Sequence, residues 1–472
     1  MPLIAICLGY FMVILDATVV NVALPDLARD LGGGVSGLQW VLDGYTLVFA
    51  GMLLSAGSLG DRLGGRRVFQ AGLLLFTLAS AACAAAPSVP LLVVARLAQG
   101  LGAALLVPSS LALLRAAYHD PRERARAVGA WGAVAGIAAA FGPVIGGLVV
   151  AASSWRAVFV LNLPVGIAGL LLGRRHLPPA GERTGGGIDL GGQLIGIAAL
   201  SVLTLGLIEG GRAGWTSPET LVPLALTLPL WVVFVAWEHR AREPMLPLRL
   251  FRSPTFSGAS FVGLAINLGF YGQLFVMSLY FQHVRGWSAL ATGLAFLPGG
   301  IFVAMSSALS GRAMGRVGPR VPMLAGLTLG GAGLAGLTVA GAGTSYPLLV
   351  PPLIASGFGM AFTMPAATNA IIGAAPAERA GIASGVLNAS RQAGGAIGVA
   401  LLGTLVGSGA FIPGLRVAML VAGATFFLAA AVAALAVERP APPDRVSRRL
   451  AHRHVHQRRH RVARHAHRDA AR

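Results

Sequence analysis

A chain of 472 residues that is 55% hydrophobic and only 11% charged, with a mean hydropathy of +0.74, is not a soluble globular protein, in which charged residues make up about a quarter of the total. The formal charge of +19 does not point to nucleic acid. There is no lysine, so all 36 basic residues are arginines; 11 of them follow Glu438, and most others fall in every second loop, which is a signal of topology. The missing lysine also excludes a P-loop lysine and ATP drive through a Walker motif in this chain, and two cysteines inside apolar runs (Cys7, Cys83) exclude a disulfide framework.

Apolar runs of roughly 20 residues recur from end to end, the length a helix needs to cross hydrocarbon. The expected class is an all-α membrane protein of fourteen spans, near 3–24, 38–59, 67–86, 90–115, 126–150, 156–174, 188–208, 220–237, 256–282, 289–311, 321–341, 346–373, 381–407 and 416–437. The first run has no basic n-region and no cleavage site of small residues, so it reads as a retained span. It carries Asp16 in its middle, within LDATVVNVALP. Asp43 lies early in the second span, near a membrane face by this count. An ion inside a bilayer is costly and is a functional candidate by default. A carboxylate in a low-dielectric wall can bind and release a proton as water access changes, and a nearby arginine opposes that binding. Asp16 therefore reads either as a proton carrier or as a polar lock between helices, and Asp43 either as a carrier or as a hydrated cap.

Between the second and third spans lies GSLGDRLGGRR (57–67), where Asp61, Arg62, Arg66 and Arg67 alternate with Gly57, Gly60, Gly64 and Gly65. Hydrocarbon cannot accept it, so it is expected to be a tight hydrophilic turn. Arg96 lies early in the fourth span and reads, like Asp16, either as a coupling group or as a polar lock between helices; the fifth holds Gly132, Gly136 and then GPVIGG, that is Gly142, Pro143, Gly146 and Gly147. Small residues at this spacing let helices approach closely, and the proline bends the helix. In SSWRAVFVLNLPVG (153–166), Trp155 and Arg156 read as interface anchors, and Asn162 and Pro164 as breaks in the sixth span. Glu209 and Arg391 read as interfacial or packing groups. Phe270, Tyr271, Phe275, Met277, Tyr280 and Phe281 of the ninth span either line a cavity or pack helices.

Turns after spans 2, 4, 6, 8 and 10 carry three or four arginines each, and the opposite loops at most one, which places both termini in the cytoplasm. The chain also repeats itself. GDRLGGR (60–66) matches MGRVGPR (314–320), pairing Arg62 with Arg316, Gly64 with Gly318 and Arg66 with Arg320. PRERA (121–125) matches PAERA (376–380), and Gly100, Gly102 and Pro108 match Gly357, Gly359 and Pro365. One duplication explains all three. It divides the chain into a six-helix bundle over 1–175, two additional helices over 188–238, a second six-helix bundle over 255–437 and a tail over 438–472. Arg96 pairs with Leu353, so any coupling charge there belongs to the first half alone. The tail is rich in arginine and histidine and is expected to be disordered and cytoplasmic; its six histidines are a minor metal-binding alternative.

LDATVVNVALP, GSLGDRLGGRR, RLAQGLGAALLVPSS (96–110), GIAAAFGPVIGG (136–147) and SWRAVFVLNLPVG (154–166) resemble successive signatures of the major facilitator superfamily. With fourteen spans and AGIASGVLNASRQAGGAIGVALLGT (380–404), the chain is similar to the drug:proton antiporter branch, EmrB/QacA-like. The resemblance covers residues 1 to about 437. It implies the major facilitator fold in a bacterial plasma membrane, and proton-driven efflux of small, largely apolar compounds such as antibiotics or dyes. It makes Asp61 and its arginines a conformational gate, Arg96 a proton-coupling residue, Gly142 and Pro143 an antiporter hinge, and Asp16 a proton or cation recognition group. It implies a monomer whose partners are substrate, protons and lipid, with no cofactor, no metal and no enzymatic activity. Proton symport or uniport of a small solute is the alternative, and the GP-x-x-GG helix argues against it.

Overall fold

The computed structural model describes residues 1–118, 120–178, 189–376, 379–407 and 410–438. The basic tail and its histidines lie outside the described residues, and so does the side chain of Asp61. Met1–Val437 forms one compact unit.

Every long element is a helix. In the first part of the chain these are α1 (Pro2–Leu31), α2 (Gly34–Leu63), α3 (Gly65–Ala85), α4 (Val89–Ala117), α5 (Pro121–Ala152), the single turn α6 (Ala157–Val160) and α7 (Asn162–His176). Two helices follow, α8 (Leu190–Ala213) and α9 (Pro218–Arg240). The last part holds α10 (Pro254–Leu279, ending in a π-turn at Tyr280–Val284), α11 (Ala289–Val317), α12 (Arg320–Gly336), α13 (Tyr346–Gly373), α14 (Ala380–Gly407) and α15 (Phe411–Ala436). Eleven of these, with α6 and α7 taken as one, are long and apolar enough to cross a membrane, and α2, α11 and α14 match them in length at 30, 29 and 28 residues. In hydrocarbon a helix is the one open structure that satisfies its own backbone, so an apolar chain of this kind has little other choice.

The expected turn at 57–67 is mostly helix. Nothing between Gly57 and Leu63 breaks hydrogen bonding, so α2 runs on to Leu63 and the chain reverses at Gly64 alone, whose φ is 91° and whose N–H bonds to Gly60 O at 3.0 Å. Its repeat partner Gly318 does the same after α11, with φ 72°. The next arginine in each copy closes the turn in the same way: Arg66 donates to the carbonyl of Arg174 in the last turn of α7, and Arg320 to the carbonyl of Ala434 in the last turn of α15. A cation there meets the negative end of a helix dipole. Because Gly64 alone combines a left-handed conformation with burial in this turn, Gly64→Ala is expected to cost about 1 kcal/mol or more in backbone strain. Gly57→Ala is expected to be nearly neutral, since its added Cβ has only Pro108 Cβ within reach at 4.0 Å. Thermal melting of the purified variants checks both.

Helix pairing follows the repeat. In the first half α2 and α3 pack on α4, and α1 on α5 and α7; in the second α10 packs on α14 and α15, and α13 on α11 and α12. The halves meet along α2 against α14 and α5 against α11. Helix α8 lies on the α2–α14 seam: Gln193 accepts from Ser55 and donates to Gly51 O, and Leu207 O accepts from Thr404 at 2.6 Å. Helix α9 packs mainly on α8.

The seam is tight at one end. Near the C-terminal end of α1, Ser278 donates to Asn21 O at 2.7 Å and Gln282 to Val22 O at 3.0 Å, while Gln39 bonds the carbonyls of Val399 and Ala400 at 3.2 and 2.7 Å. At the opposite end the helices part: a Cβ placed on Gly129, Gly132 or Gly136 of α5, or on Gly311 or Gly315 of α11, would meet nothing within 4 Å.

Candidate functional site

Asp16 of α1 and Arg96 of α4 form a salt bridge with both side chains at most 1% exposed. Two charges removed from water must find every remaining partner nearby, and here they do. Asp16 Oδ1 accepts from Gln99 Nε2 at 2.9 Å and from Asn162 Nδ2 at 3.0 Å. Arg96 donates from Nη1 to Gln99 Oε1 at 2.6 Å and from Nε to Val41 O at 2.9 Å. Ser80 Oγ of α3 accepts from both amides, at 2.9 and 3.3 Å. The guanidinium also lies 4.4 Å over the ring of Tyr45. One ion pair thus ties α1, α2, α3, α4 and α7 together. Asn162, expected only as a helix break, is a member of it; α7 begins there, with Pro164 in the first turn, where no intrahelical N–H is missed.

Asp43 is neither a helix cap nor a hydrated group. Helix α2 starts at Gly34, so Asp43 sits more than two turns in and is fully buried. It falls between Gln39, which bonds α14, and Leu47, which packs with Ala396 of α14. By the four-residue spacing it belongs to the stripe of α2 on the seam between the halves. Its Oδ1 accepts from Thr46 at 3.5 Å, its Oδ2 has no hydrogen-bond partner, and among the described residues it has no cation. The structure therefore joins Asp16 to Arg96 and leaves Asp43 apart from them. Beside Arg96 lies a void of about 10 Å³, room for one water, lined also by Tyr45, Thr46, Asn21 and, from the other half, Tyr271.

The glycines of α5 serve two interfaces. A Cβ on Gly142 would collide with the Thr18 side chain and one on Gly146 with Val19 O at 2.7 Å, both on α1; one on Gly147 would meet Leu290 Cα on α11 at 2.8 Å. Gly293 of α11 answers by packing on the carbonyl of Pro143. Gly136, two turns earlier, is at no such approach in this state. Pro143 borders a mainly apolar cavity of about 40 Å³ between α5, α10, α11 and α13, with Phe270, Gln273, Phe296 and Leu353 in its wall. Leu353 is the repeat partner of Arg96. The same place in the two halves thus holds a buried ion pair in one and an apolar chamber wall in the other.

Of the ninth-span aromatics, Phe270 and Tyr271 border these voids, whereas Phe275, Met277, Tyr280 and Phe281 are fully buried core. Trp155 is not a lipid-facing anchor. It is 3% exposed and donates to Asp30 Oδ2 at 2.8 Å, while Arg156 pairs with the same carboxylate and stacks 4.3 Å over the indole. Glu209 pairs with Arg212 at 2.6 Å. Around the 57–67 signature, Arg62 and Arg67 are exposed and Arg66 is engaged at α7, while a Cβ added at Gly60 or Gly65 would come no nearer to α4 than 3.8 or 3.7 Å.

The sequence profile of the Major Facilitator Superfamily matches residues 6–399. A multidrug resistance protein, Stp, of Mycobacterium tuberculosis is 42% identical over 406 residues, 86% of this chain and 75% of that one. A methylenomycin A resistance protein of Streptomyces coelicolor is 37% identical over 86% of this chain and 85% of its own, and a tetracenomycin C resistance and export protein of Streptomyces glaucescens is 37% identical over 86% and 76%. Among solved structures, a POT family transporter in complex with 5-aminolevulinic acid superposes with a TM-score of 0.69 at 14% identity, covering 92% of this chain and 96% of the other. At that identity the likeness is one of fold.

Proposed function

Because the chain belongs to the major facilitator superfamily, we propose that it is a proton-driven exporter of small, largely apolar compounds such as antibiotics or dyes, working by alternating access. Three relatives whose names record drug resistance or export, each at least 37% identical, support the cargo class. In this reading the protein has fourteen spans: six-helix bundles over 1–175 and 255–437, with α8 and α9 added between them over 188–238. It works as a monomer in a bacterial plasma membrane with both termini cytoplasmic. The end at which the seam is closed is then extracellular, and the parted end opens to the cytoplasm.

The observation that carries the reading is the Asp16–Arg96 pair, buried beside a water-sized void at the seam. Asp43 loads the proton, because its Oδ2 lacks a donor and its stripe on α14 is remade whenever the halves rock. Asp16 and Arg96 transmit that event by changing partners. The apolar chamber beside Pro143, only about 40 Å³ in this packing, is the place that widens to take cargo when the halves rock. The turns at Gly64 and Gly318, with Asp61, Arg62, Arg66 and Arg67, latch one of the two packings as the gate.

Inverted membrane vesicles acidified inside test this. A panel of neutral dyes is expected to accumulate within them, and a protonophore to abolish the accumulation. Accumulation driven by the opposite gradient would mean symport and would overturn export.

A further inference from the structure

Arg391 lies in the middle of α14, at the depth of the two cavities, and none of the roles above uses it. Arg29, Arg96, Arg156 and Arg212 each pair with a carboxylate; Arg391 has none among the described residues. Its partners are neutral: Nε donates to Asn267 Oδ1 at 3.4 Å and Nη1 to Asn388 Oδ1 at 3.2 Å, while Nη2 bonds to nothing described. Asn267, on α10, is 1% exposed, yet its Nδ2 has no partner. A half-buried cation and a buried amide thus offer unused donors within one cluster. A cation without a counter-ion at membrane depth is costly, so the arrangement is expected to be completed by something else.

The surroundings indicate what completes it. Gly263, one turn before Asn267, keeps α10 clear of the arginine stem; a Cβ there would sit 3.3 Å from Arg391 Cγ. Tyr271 lies one turn along α10 from Asn267, and its ring packs against Gly395, one turn along α14 from Arg391, where an added Cβ would sit 3.2 Å from Tyr271 Cδ2. Tyr271 borders the void beside Arg96, and Phe270, edge-on to it at 5.3 Å, borders the apolar chamber. The donors are therefore set beside the aromatic rings of α10. Guanidinium binds carboxylate through two parallel hydrogen bonds, and a further amide donor fits the remaining lone pairs.

We propose that Arg391, Asn267 and Tyr271 form a binding site at the seam for an aromatic organic acid, the ionised carboxylate on Arg391 and Asn267 Nδ2 and the ring against Tyr271. Taking that acid as cargo rests on the export reading; the binding does not. The acidic groups of the first half serve protons, and the cation of the second half selects the compound.

Purified protein in lipid nanodiscs is titrated with three probes that share one fluorophore: 9-anthracenecarboxylate, 9-anthracenecarboxamide and 9-anthracenemethylamine. Charge-assisted hydrogen bonds predict that the carboxylate binds roughly 10- to 100-fold tighter than the amine. Arg391→Gln is expected to bring the carboxylate to within about twofold of the amide, and Arg391→Lys to retain part of the preference. Equal binding of all three probes by the wild type, no binding of the carboxylate, or a preference that survives Arg391→Gln would each overturn the site. If Arg391→Gln does not purify as a folded protein, Asn267→Leu replaces it, and about a fivefold loss confined to the carboxylate is expected. Vesicle flux on the same preparation separates the two ideas: a carboxylate preference without proton-driven flux would sink export and leave the site standing.

Discussion

Arg96→Gln is expected to abolish proton-driven dye accumulation and to lower stability by several kcal/mol. Asp16 would remain buried with its two amide donors and no cation. Removing one member of a buried pair costs about 3–5 kcal/mol, because the survivor keeps its desolvation penalty. Asp16→Asn leaves Arg96 buried with Gln99 and Val41 O and no counter-ion, and a guanidinium cannot shed its charge, so this variant is expected to be at least as damaging to the fold and equally inactive. The double variant Asp16→Asn/Arg96→Gln carries no buried charge at this point and should melt above Arg96→Gln alone, still without transport. Melting temperature and vesicle flux, measured together, make the cycle. Single variants that accumulate dye like the wild type would remove this pair from the coupling mechanism. A double variant no more stable than Arg96→Gln would show that the pair is not desolvated in the membrane.

Gly146→Val is expected to stop the transport cycle by wedging α5 away from α1. The added Cβ would already lie 2.7 Å from Val19 O and 2.8 Å from Val19 Cγ2, and backbone cannot yield as a flexible side-chain tip does. Overpacking of this kind costs about 1–3 kcal/mol. A loss of flux of tenfold or more follows if even ~1.4 kcal/mol of it falls on the step in which the halves rock. Gly147→Val should act on the other face, against Leu290 of α11. Gly136→Ala provides the contrast: its Cβ meets nothing, so melting should not change. If Gly136→Ala destabilises as much as Gly146→Val, close approach is not what the glycines of this helix supply.

Some of this was legible before any coordinates. The duplication paired Gly64 with Gly318 and Arg66 with Arg320, and both pairs occupy matching positions in space. Asp16 and Arg96 stood out because an ion in hydrocarbon needs a reason. Their partners did not: Gln99, Ser80 and Asn162 are neutral polar residues of a kind that many spans tolerate. Trp155 and Arg156 looked like a headgroup belt because a Trp-Arg pair at a span end fits one; Asp30, 125 residues earlier, draws the indole inward. Asp43 reads as a hydrated cap because it comes early in its apolar run; α2 begins at Gly34, some four residues before that run, and the helices packed around it bury it.

The sequence by itself determined that this chain lives in a membrane with many spans, and that GDRLGGR and MGRVGPR share one pattern. Hydropathy and residue spacing are properties of short stretches, so they are written locally. Only the tertiary structure decided which charges meet, that Asp43 lies on the seam stripe while Asp16 pairs with Arg96, and that Arg391 has no counter-ion among the described residues. Those outcomes depend on side chains 80 or more residues apart arriving at the same few ångströms, and at that range the energy of a charge is set by its neighbours and not by its place in the chain.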